Sequence, residues 1–224
     1  MKKPYIICHM MTSVDGRIDC AMTERLPGVS DYYSTLEELC VLTTLSGRVT
    51  AELEMAEKGF FKANDPTEFG REGFKKNAQA DGYEVIADTK GKLLWQNTDG
   101  EKPYLIITSE NVAREYLEYL DENGISWIAC GKGKINLPRA CEILSESFGV
   151  ERMGVVGGPI INTAFLNDGL LDEISVLIGS GIDGRAEMPS VFDGRDMSYP
   201  LTALELTDVR RFPDGAVWLR YKTK

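Results

Sequence analysis

Apolar residues form five short, nearly continuous runs along the chain, at residues 5–11, 104–107, 125–130, 153–156 and 174–178. Each run predicts a strand that is buried on both faces, as in a parallel sheet covered by helices. Apolar positions spaced three and four residues apart follow three of the runs, at residues 112–120, 140–148 and 160–165. This alternation predicts right-handed strand–helix–strand crossovers and a mostly parallel α/β sheet.

The pattern changes at both flanks of this alternation. Residues 83–87 and 93–95, joined by the turn Asp88-Thr89-Lys90-Gly91, predict a β-hairpin that ends in a second turn at residues 97–100. Near the end of the chain, strands over residues 201–209 and 216–222 flank Phe212-Pro213-Asp214-Gly215. This arrangement predicts a C-terminal antiparallel hairpin at one sheet edge.

Three local features complete the predicted elements. A helix is expected over residues 49–58, and either Ser109 or Asn111 is expected to cap the helix that carries the 112–120 stripe. Residues 36–45 fit a helix or a strand equally well.

Composition and charge narrow the class of protein. The chain has 224 residues, 43% of them hydrophobic, and a formal net charge of −10. The negative charge disfavours non-specific binding to nucleic acid and to anionic membrane surfaces. No apolar run is long enough to span a membrane and no signal-peptide pattern is present, so a cytoplasmic location is expected.

Cysteine and histidine usage gives no sign of a metal site. The five cysteines, none in a C-x-x-C pair, predict free, buried thiols in a reducing compartment. His9, the single histidine, lies in the first apolar run and is expected in the core. No H-x-E with a later P-C-x-x-C occurs, so zinc deaminase chemistry is not expected.

Paired glycines end the fourth apolar run. The segment Val155-Val156-Gly157-Gly158-Pro159-Ile160-Ile161 predicts a strand, a tight turn and the start of a helix. Glycines let backbone N–H groups approach a ligand, and a helix start favours an anion, most often phosphate. A plain strand-to-helix turn that binds nothing is the alternative.

Polar residues follow two further predicted strand ends, where open α/β sheets bind ligands. Ser13, Asp15, Gly16 and Arg17 follow the first run and are candidates to contact a substrate. The alternative is an ordinary Asp-Gly turn.

The motif Gly47-Arg48-Val49-Thr50 precedes the helix expected from residue 49, where Arg48 and Thr50 suit a phosphate or a ribose. Alternatively, Thr50 is an N-cap and Arg48 a solvated surface charge. The loop Gly131-Lys132-Gly133-Lys134 adds cations that suit a bound phosphate group. The alternative is a solvated loop that binds nothing.

These motifs together resemble the reductase half of the riboflavin-pathway deaminase-reductases (RibD type). The order Gly157-Gly158, helix, Gly169-Leu170-Leu171-Asp172-Glu173, strand and Gly-rich loop is similar to that family's pattern, as are Ser13-x-Asp15-Gly16 and Gly47-Arg48-x-Thr50. The likeness runs from Ser13 to the last strand and is best over residues 125–194. Asp88-x-x-Gly91-Lys92-Leu93-x-Trp95 is similar to a stand-alone branch.

The resemblance implies a single dihydrofolate reductase-like domain over residues 1–224: a three-layer α/β/α fold with a mostly parallel mixed sheet and a C-terminal antiparallel hairpin. It implies NADPH as cofactor and a homodimer. The implied cofactor contacts are Gly47, Arg48, Thr50, Glu54, Thr108, Ser109, Gly131, Gly157, Gly158, Pro159, Ile160 and Ile161. Glu54 stands where relatives often have Asp.

The implied reaction is hydride transfer to the ribose C1 of an aminopyrimidine ribosyl phosphate, in the manner of 5-amino-6-(5-phosphoribosylamino)uracil reductase or its 2,5-diaminopyrimidinone counterpart. No catalytic residue is assigned: Asp15 is the one polar candidate near the acceptor for proton donation, with water as the alternative. Val156 stands where riboflavin-pathway reductases commonly have Glu, and Arg17 where Lys is frequent. A same-fold reductase of a pterin or dihydrofolate, or a non-catalytic nucleotide-binding module, are the alternatives.

Overall fold

The structure is a computed structural model that describes residues 2–95 and 102–224. Its strands are β1 (Tyr5–Thr12), β2 (Thr43–Gly47), β3 (Gly73–Lys75), β4 (Glu84–Ala87), β5 (Tyr104–Thr108), β6 (Ser126–Ala129), β7 (Arg152–Val155), β8 (Glu173–Ile178), β9 (Leu204–Arg211) and β10 (Val217–Thr223). Its helices are α1 (Cys20–Thr23), α2 (Val29–Glu38), α3 (Arg48–Glu54), α4 (Arg114–Glu122), α5 (Leu137–Ser147) and α6 (Pro159–Asn167).

The chain divides into two compact units. The first unit comprises Met1–Pro4 and Leu42–Glu151, and the second comprises Tyr5–Val41 and Arg152–Lys224. The strands of the first unit follow the order β3-β6-β5-β4-β2. Strands β6, β5, β4 and β2 are parallel, and β3 pairs antiparallel with β6 at the edge. Its core includes Leu93, Trp95, Ile106, Tyr116 and Leu120.

The second unit follows the order β7-β1-β8-β10-β9. Strands β7, β1 and β8 are parallel, and the β9–β10 hairpin adds antiparallel to β8. Ile7, Met11, Leu177 and Trp218 lie in its core. The predicted parallel strands and the predicted C-terminal hairpin are therefore confirmed.

The predicted hairpin over residues 83–95 is wrong. Strand β4 pairs in parallel with β2 and β5, and no strand follows at residues 92–95. The reason lies in Asp88, whose carboxylate accepts the N–H groups of Lys92 (2.6 Å) and Leu93 (2.9 Å) that a ladder would otherwise use. The turn predicted at residues 97–100 lies outside the described residues.

Several local predictions also need correction. Helix α3 begins at Arg48 and ends at Glu54 rather than spanning residues 49–58. Helix α4 has Ala113 at its N-cap and no side-chain cap. The Ser109 hydroxyl donates instead to the Thr89 carbonyl (2.9 Å) and the Asn111 amide to Glu68 (2.8 Å), so neither caps the helix.

The ambiguous stretch at residues 36–45 contains both kinds of element. Helix α2 ends at Glu38, Cys40 takes a left-handed conformation (φ 53°), and β2 begins at Thr43. All five cysteines are free; Cys20 and Cys40 are exposed, contrary to expectation, whereas the other three are buried.

The predicted core position of His9 is confirmed, because its side chain is 0% exposed. The ring stacks on Tyr32 with centroids 4.8 Å apart. The Ser175 hydroxyl accepts the Trp218 Nε1–H (2.7 Å) and lies 2.9 Å from His9 Nδ1, while Nε2 lies 3.3 Å from the Tyr32 carbonyl. This network suits a neutral ring with its proton on Nε2. Burial lowers the pKa of His9 to about 4.

We expect the free energy of unfolding to fall as the pH drops from about 7 to 4. The ordinary pKa of 6.5 applies in the unfolded chain, so between 6.5 and about 4 the unfolded state binds more protons. The loss should be roughly 3 kcal/mol. Denaturant unfolding at a series of pH values measures it, and a His9→Gln variant should lack this component of the slope. Because the chain has one histidine, a ring-proton NMR titration with a midpoint near 6.5 would contradict the burial argument.

Candidate active site

The glycine pair lies directly after β7, as predicted. Gly157 has φ of 122°, a conformation that side chains rarely adopt, and Gly158 is the N-cap of the nine-residue helix α6, with Pro159 in its first turn. No side chain caps this helix. The N–H groups of its first turn, at Ile160 and Ile161, are thus of the kind that bind anions. Ile160 is 66% exposed and so does not share the buried helix face with Phe165.

The loop after β1 is closed by Ser13 and Asp15. The Ser13 hydroxyl donates to Asp15 Oδ1 (2.7 Å) and accepts the N–H of Arg17 (3.1 Å), while Gly16 sits at φ 81°. Asp15 also accepts the N–H groups of Asp183 (2.9 Å) and Gly184 (3.0 Å) in the loop after β8. The two loops that leave neighbouring parallel strands are therefore held together by one carboxylate.

These hydrogen bonds decide the protonation state of Asp15. The Ser13 hydroxyl, and then the two backbone N–H groups, hold the pKa of the Asp15 carboxyl well below its usual range. Asp15 is therefore ionised at neutral pH and has no proton to donate there. The geometry supports a role for Asp15 in ordering the loop after β1.

Arg17 extends this framework to the segment before β9. Its guanidinium Nη1 donates to the Met188 carbonyl, its Nε lies 3.9 Å from Asp15 Oδ2, and Arg17 forms an isolated bridge with Ser190. Ile18 N–H donates to the Pro189 carbonyl (3.1 Å). The cation is half-buried and fixed on one side by a carbonyl.

In the first unit, Gly47 is the N-cap of α3, and this helix, like α6, has no side-chain cap. Arg48 forms an ion pair with Glu52 one turn further along the helix. Thr50 and Glu54, four residues apart, lie on one side of α3. Thr50 lies inside α3 and does not act as its N-cap.

The ends of β5 and β6 hold the other predicted contacts of this unit. Thr108 and Ser109 are buried, and both the N–H and the hydroxyl of Ser109 donate to the Thr89 carbonyl. Gly131 has φ of 89°, and its N–H donates to Glu110 Oε1 (3.0 Å). A Cβ at Gly131 would lie 2.4 Å from the Lys134 carbonyl oxygen, so the tight loop itself requires glycine. Lys132 and Lys134 are exposed.

Asp88 is a buried acid at this edge, in the segment where the sequence pattern predicts a hairpin turn. It follows β4, between the ends of β2 and β5, with 0% of its surface exposed. Burial raises its pKa, although the N–H groups of Leu93 and Lys92 oppose this. Its Oδ1 has no hydrogen-bond partner among the described residues. An acid directly after a buried strand was the sequence signal for it.

Each unit thus gathers one group of predicted residues at the carboxyl edge of its parallel strands. In the second unit these are Ser13, Asp15, Gly16, Arg17, Gly157, Gly158, Pro159, Ile160 and Ile161. In the first unit they are Gly47, Arg48, Thr50, Thr108, Ser109 and Gly131, whereas Glu54 lies at the far end of α3. Carboxyl edges with glycine turns and uncapped helix starts are characteristic of α/β proteins that bind nucleotides.

Comparison with known protein families assigns the chain to one of them. The RibD C-terminal domain model matches residues 4–218, nearly the whole chain. The chain therefore belongs to the RibD C-terminal domain family.

Individual relatives agree with this assignment. The chain is 24% identical over 229 residues to the 2,5-diamino-6-ribosylamino-4(3H)-pyrimidinone 5′-phosphate reductase of Archaeoglobus fulgidus, covering 98% of this chain and 99% of the relative. A pyrimidine reductase-like protein from Corynebacterium diphtheriae has the same fold, with TM-score 0.69, 18% identity, and 99% and 92% of the two chains covered.

RibD from Acinetobacter baumannii also shares the fold, with TM-score 0.72 and 19% identity; 99% of this chain but only 58% of that protein is covered. The riboflavin biosynthesis reductase of Saccharomyces cerevisiae gives TM-score 0.63 and 17% identity, with 99% and 90% covered. The predicted family, the dihydrofolate reductase-like fold class and the predicted enzyme class, a RibD-type reductase, are confirmed.

Two features of the described residues concern membranes and metal ions. None of the helices in residues 2–95 and 102–224 has the length and apolar character needed to cross a membrane. Within the same residues, no three His, Cys, Asp or Glu side chains are grouped so that they could hold a metal ion.

We expect an Asp15→Asn variant to loosen the loop after β8. An amide has one acceptor oxygen in place of two and carries no charge, so the N–H groups of Asp183 and Gly184 cannot both keep their bonds. Hydrogen exchange at these two amides should accelerate roughly tenfold. The matched control is Asp65→Asn, which removes a similar exposed carboxylate that accepts the N–H (2.9 Å) and hydroxyl (2.6 Å) of Thr67. Unchanged exchange at residues 183 and 184 would contradict the assigned role.

Proposed function

We propose that the protein is an NADPH-dependent reductase that acts on an aminopyrimidine ribosyl phosphate in riboflavin biosynthesis. The candidate substrates are 2,5-diamino-6-ribosylamino-4(3H)-pyrimidinone 5′-phosphate and 5-amino-6-(5-phosphoribosylamino)uracil. The observation that carries the proposal is the match over nearly the full length of both chains with the archaeal pyrimidinone phosphate reductase. A cytoplasmic location and a homodimer complete it.

The glycine pair fits the cofactor pyrophosphate. Gly157 and Gly158 present backbone without side chains, and the uncapped first turn of α6, from Pro159 to Ile161, offers N–H donors and the positive end of the helix dipole. When bound, NADPH supplies the hydride. The chain's part is to bind and orient the cofactor and to exclude water from the reacting atoms.

The first-unit edge supports the choice of NADPH over NADH. The cofactors differ by a ribose 2′-phosphate, which needs cations or N–H donors. Arg48, Lys132 and Lys134 are cations on loops and a helix start at that edge, in a chain whose net charge is −10. Thr50, Glu54, Thr108, Ser109 and Gly131 are assigned to the remaining cofactor contacts.

The loop of Ser13, Asp15, Gly16 and Arg17 is assigned to the substrate. Because both oxygens of Asp15 accept hydrogen bonds within the chain and its pKa is lowered, Asp15 shapes this loop and solvent water supplies the proton. Arg17 provides a fixed positive charge for an anionic group of the substrate. The half-buried Val156 offers an apolar contact and no charge at the position before the glycine pair.

Consumption of NADPH in the presence of a substrate panel tests the reaction. We expect oxidation of NADPH with the diaminopyrimidinone ribosyl phosphate or the aminouracil counterpart, and a ribityl product by mass spectrometry. Turnover confined to dihydrofolate or a dihydropterin would replace the substrate assignment. Cofactor binding without turnover of any of these compounds would favour a non-catalytic nucleotide-binding module.

Cofactor binding is tested by quenching of the fluorescence of the three tryptophans. The wild-type chain should bind NADPH more tightly than NADH. A Gly158→Val variant should lose most of its affinity for both, because the added side chain would enter the space assigned to the pyrophosphate. An Arg48→Gln variant should lose roughly tenfold in NADPH affinity and little in NADH affinity.

The control for Arg48→Gln is Arg114→Gln, which removes an exposed arginine from the start of α4, another helix of the same unit. Equal losses in the two variants would mean a general electrostatic effect rather than a 2′-phosphate contact. Unchanged affinity in Gly158→Val, with a normal melting temperature, would remove the glycine pair from the cofactor site.

A further inference from the structure

The segment at residues 188–195 connects the loop after β1 with helix α6 in the second unit. On one side it holds the loop after β1, through the Arg17 guanidinium on the Met188 carbonyl and the Ile18 N–H on the Pro189 carbonyl. Internally it is closed by Ser190, whose N–H (2.9 Å) and hydroxyl (2.7 Å) both donate to Asp193. The segment is therefore an ordered part of the fold, although it contains no helix and no regular strand.

On its other side the same segment contacts α6. The Asn162 amide donates to the Val191 carbonyl (2.8 Å), and Arg195 Nε donates to Asn167 Oδ1 (2.7 Å) at the end of the helix. Gly194 lies so near the helix start that an added Cβ would be 3.2 Å from Ile160 Cδ1. Movement of α6 therefore has to move the segment, and with it the carbonyls that hold Arg17 and Ile18.

Asn162 occupies the centre of this connection. Its backbone N–H donates to the Gly158 carbonyl (3.1 Å), which is the first turn of α6, and its side chain is 0% exposed. Its Oδ1 has no hydrogen-bond partner among the described residues. A buried acceptor without a partner is unfavourable, and leucine would fill a similar volume without it. The role of the Asn162 amide is therefore the hydrogen bond that it donates to the Val191 carbonyl, and not a contribution to the stability of the core.

We propose that Asn162 is a positioning residue that sets the distance between the glycine-pair helix and the substrate loop. The inference rests on the proposed function, in which the helix holds the cofactor and the Ser13–Arg17 loop holds the substrate. Hydride transfer requires the two reacting carbons to be close and aligned, and a displacement of about 1 Å costs up to roughly 100-fold in rate. Asn162 has no contact with either ligand in this assignment and acts through Val191.

The test is an Asn162→Leu variant, compared with Asn123→Leu. Asn123 is the matched control because its amide also donates to a backbone carbonyl, that of Tyr119, at 2.8 Å, but in the first unit. We expect Asn162→Leu to melt at or above the wild-type temperature and to bind NADPH within about twofold of wild type, while kcat falls roughly 10- to 100-fold. Asn123→Leu should leave kcat unchanged.

Separate outcomes distinguish the failure of each idea. A kcat within twofold of wild type in Asn162→Leu would overturn the positioning role, and so would a lowered melting temperature with unchanged kcat in the folded fraction. A second readout needs neither cofactor nor substrate: hydrogen exchange at residues 17–18 and 190–194 should accelerate in Asn162→Leu and not in Asn123→Leu. Absence of that acceleration also overturns the proposal. If the wild-type chain reduces no pyrimidine phosphate, the proposed function fails. The exchange experiment still decides whether Asn162 couples α6 to the loop after β1.

Discussion

The parallel pairing of β1 with β7 on one side and β8 on the other is the constraint on which the second unit depends. Ile7 is aligned with Gly154 and Glu173, and Cys8 with Val155 and Ile174. Because all three strands run in one direction, the segments that leave them emerge at a single edge. The glycine pair, the Ser13–Arg17 loop and the loop after β8 are brought to that edge by backbone hydrogen bonding alone, before any side chain takes part.

Carboxylates then fix the loops that the strands bring together. Asp15 joins the loops after β1 and β8 through two hydrogen bonds and accepts a third from Ser13 in its own loop. Asp88 folds the chain after β4 back on itself through two backbone N–H groups. Their environments have opposite effects. Asp15 is exposed and its pKa is lowered by the donors around it, whereas Asp88 is buried and its pKa is raised. Both residues show how a polar side chain at a strand end first serves the loop that carries it.

That double use explains why motif residues cannot be assigned to ligands from spacing alone. The resemblance implies ligand contacts for Ser13, Ser109 and Gly131, yet each has an internal role that would select the same residue type. The Ser109 hydroxyl is taken up by the Thr89 carbonyl, and Gly131 is required by a Lys134 carbonyl that leaves no room for a Cβ. Asn162, by contrast, is a motif residue of the resembled stand-alone branch for which the sequence suggests no partner. Its proposed positioning role depends on the hydrogen bond that it donates to the Val191 carbonyl, 29 residues further along the chain.

Sequence pattern alone predicted the parallel strands, the C-terminal hairpin and the glycine turn before α6, because these depend on local periodicity, turn residues and backbone freedom; the family was predicted from the resemblance of its motifs. It failed at residues 83–95, where the pattern of two apolar runs around a turn is the same for a hairpin and for a strand that pairs elsewhere. The folded structure instead pairs β4 in parallel with β2 and β5, and Asp88 takes the N–H groups that a hairpin would need. It also makes Asp15 ionised and joins segment 188–195 to both the loop after β1 and α6, since both features follow from contacts between residues far apart in the chain.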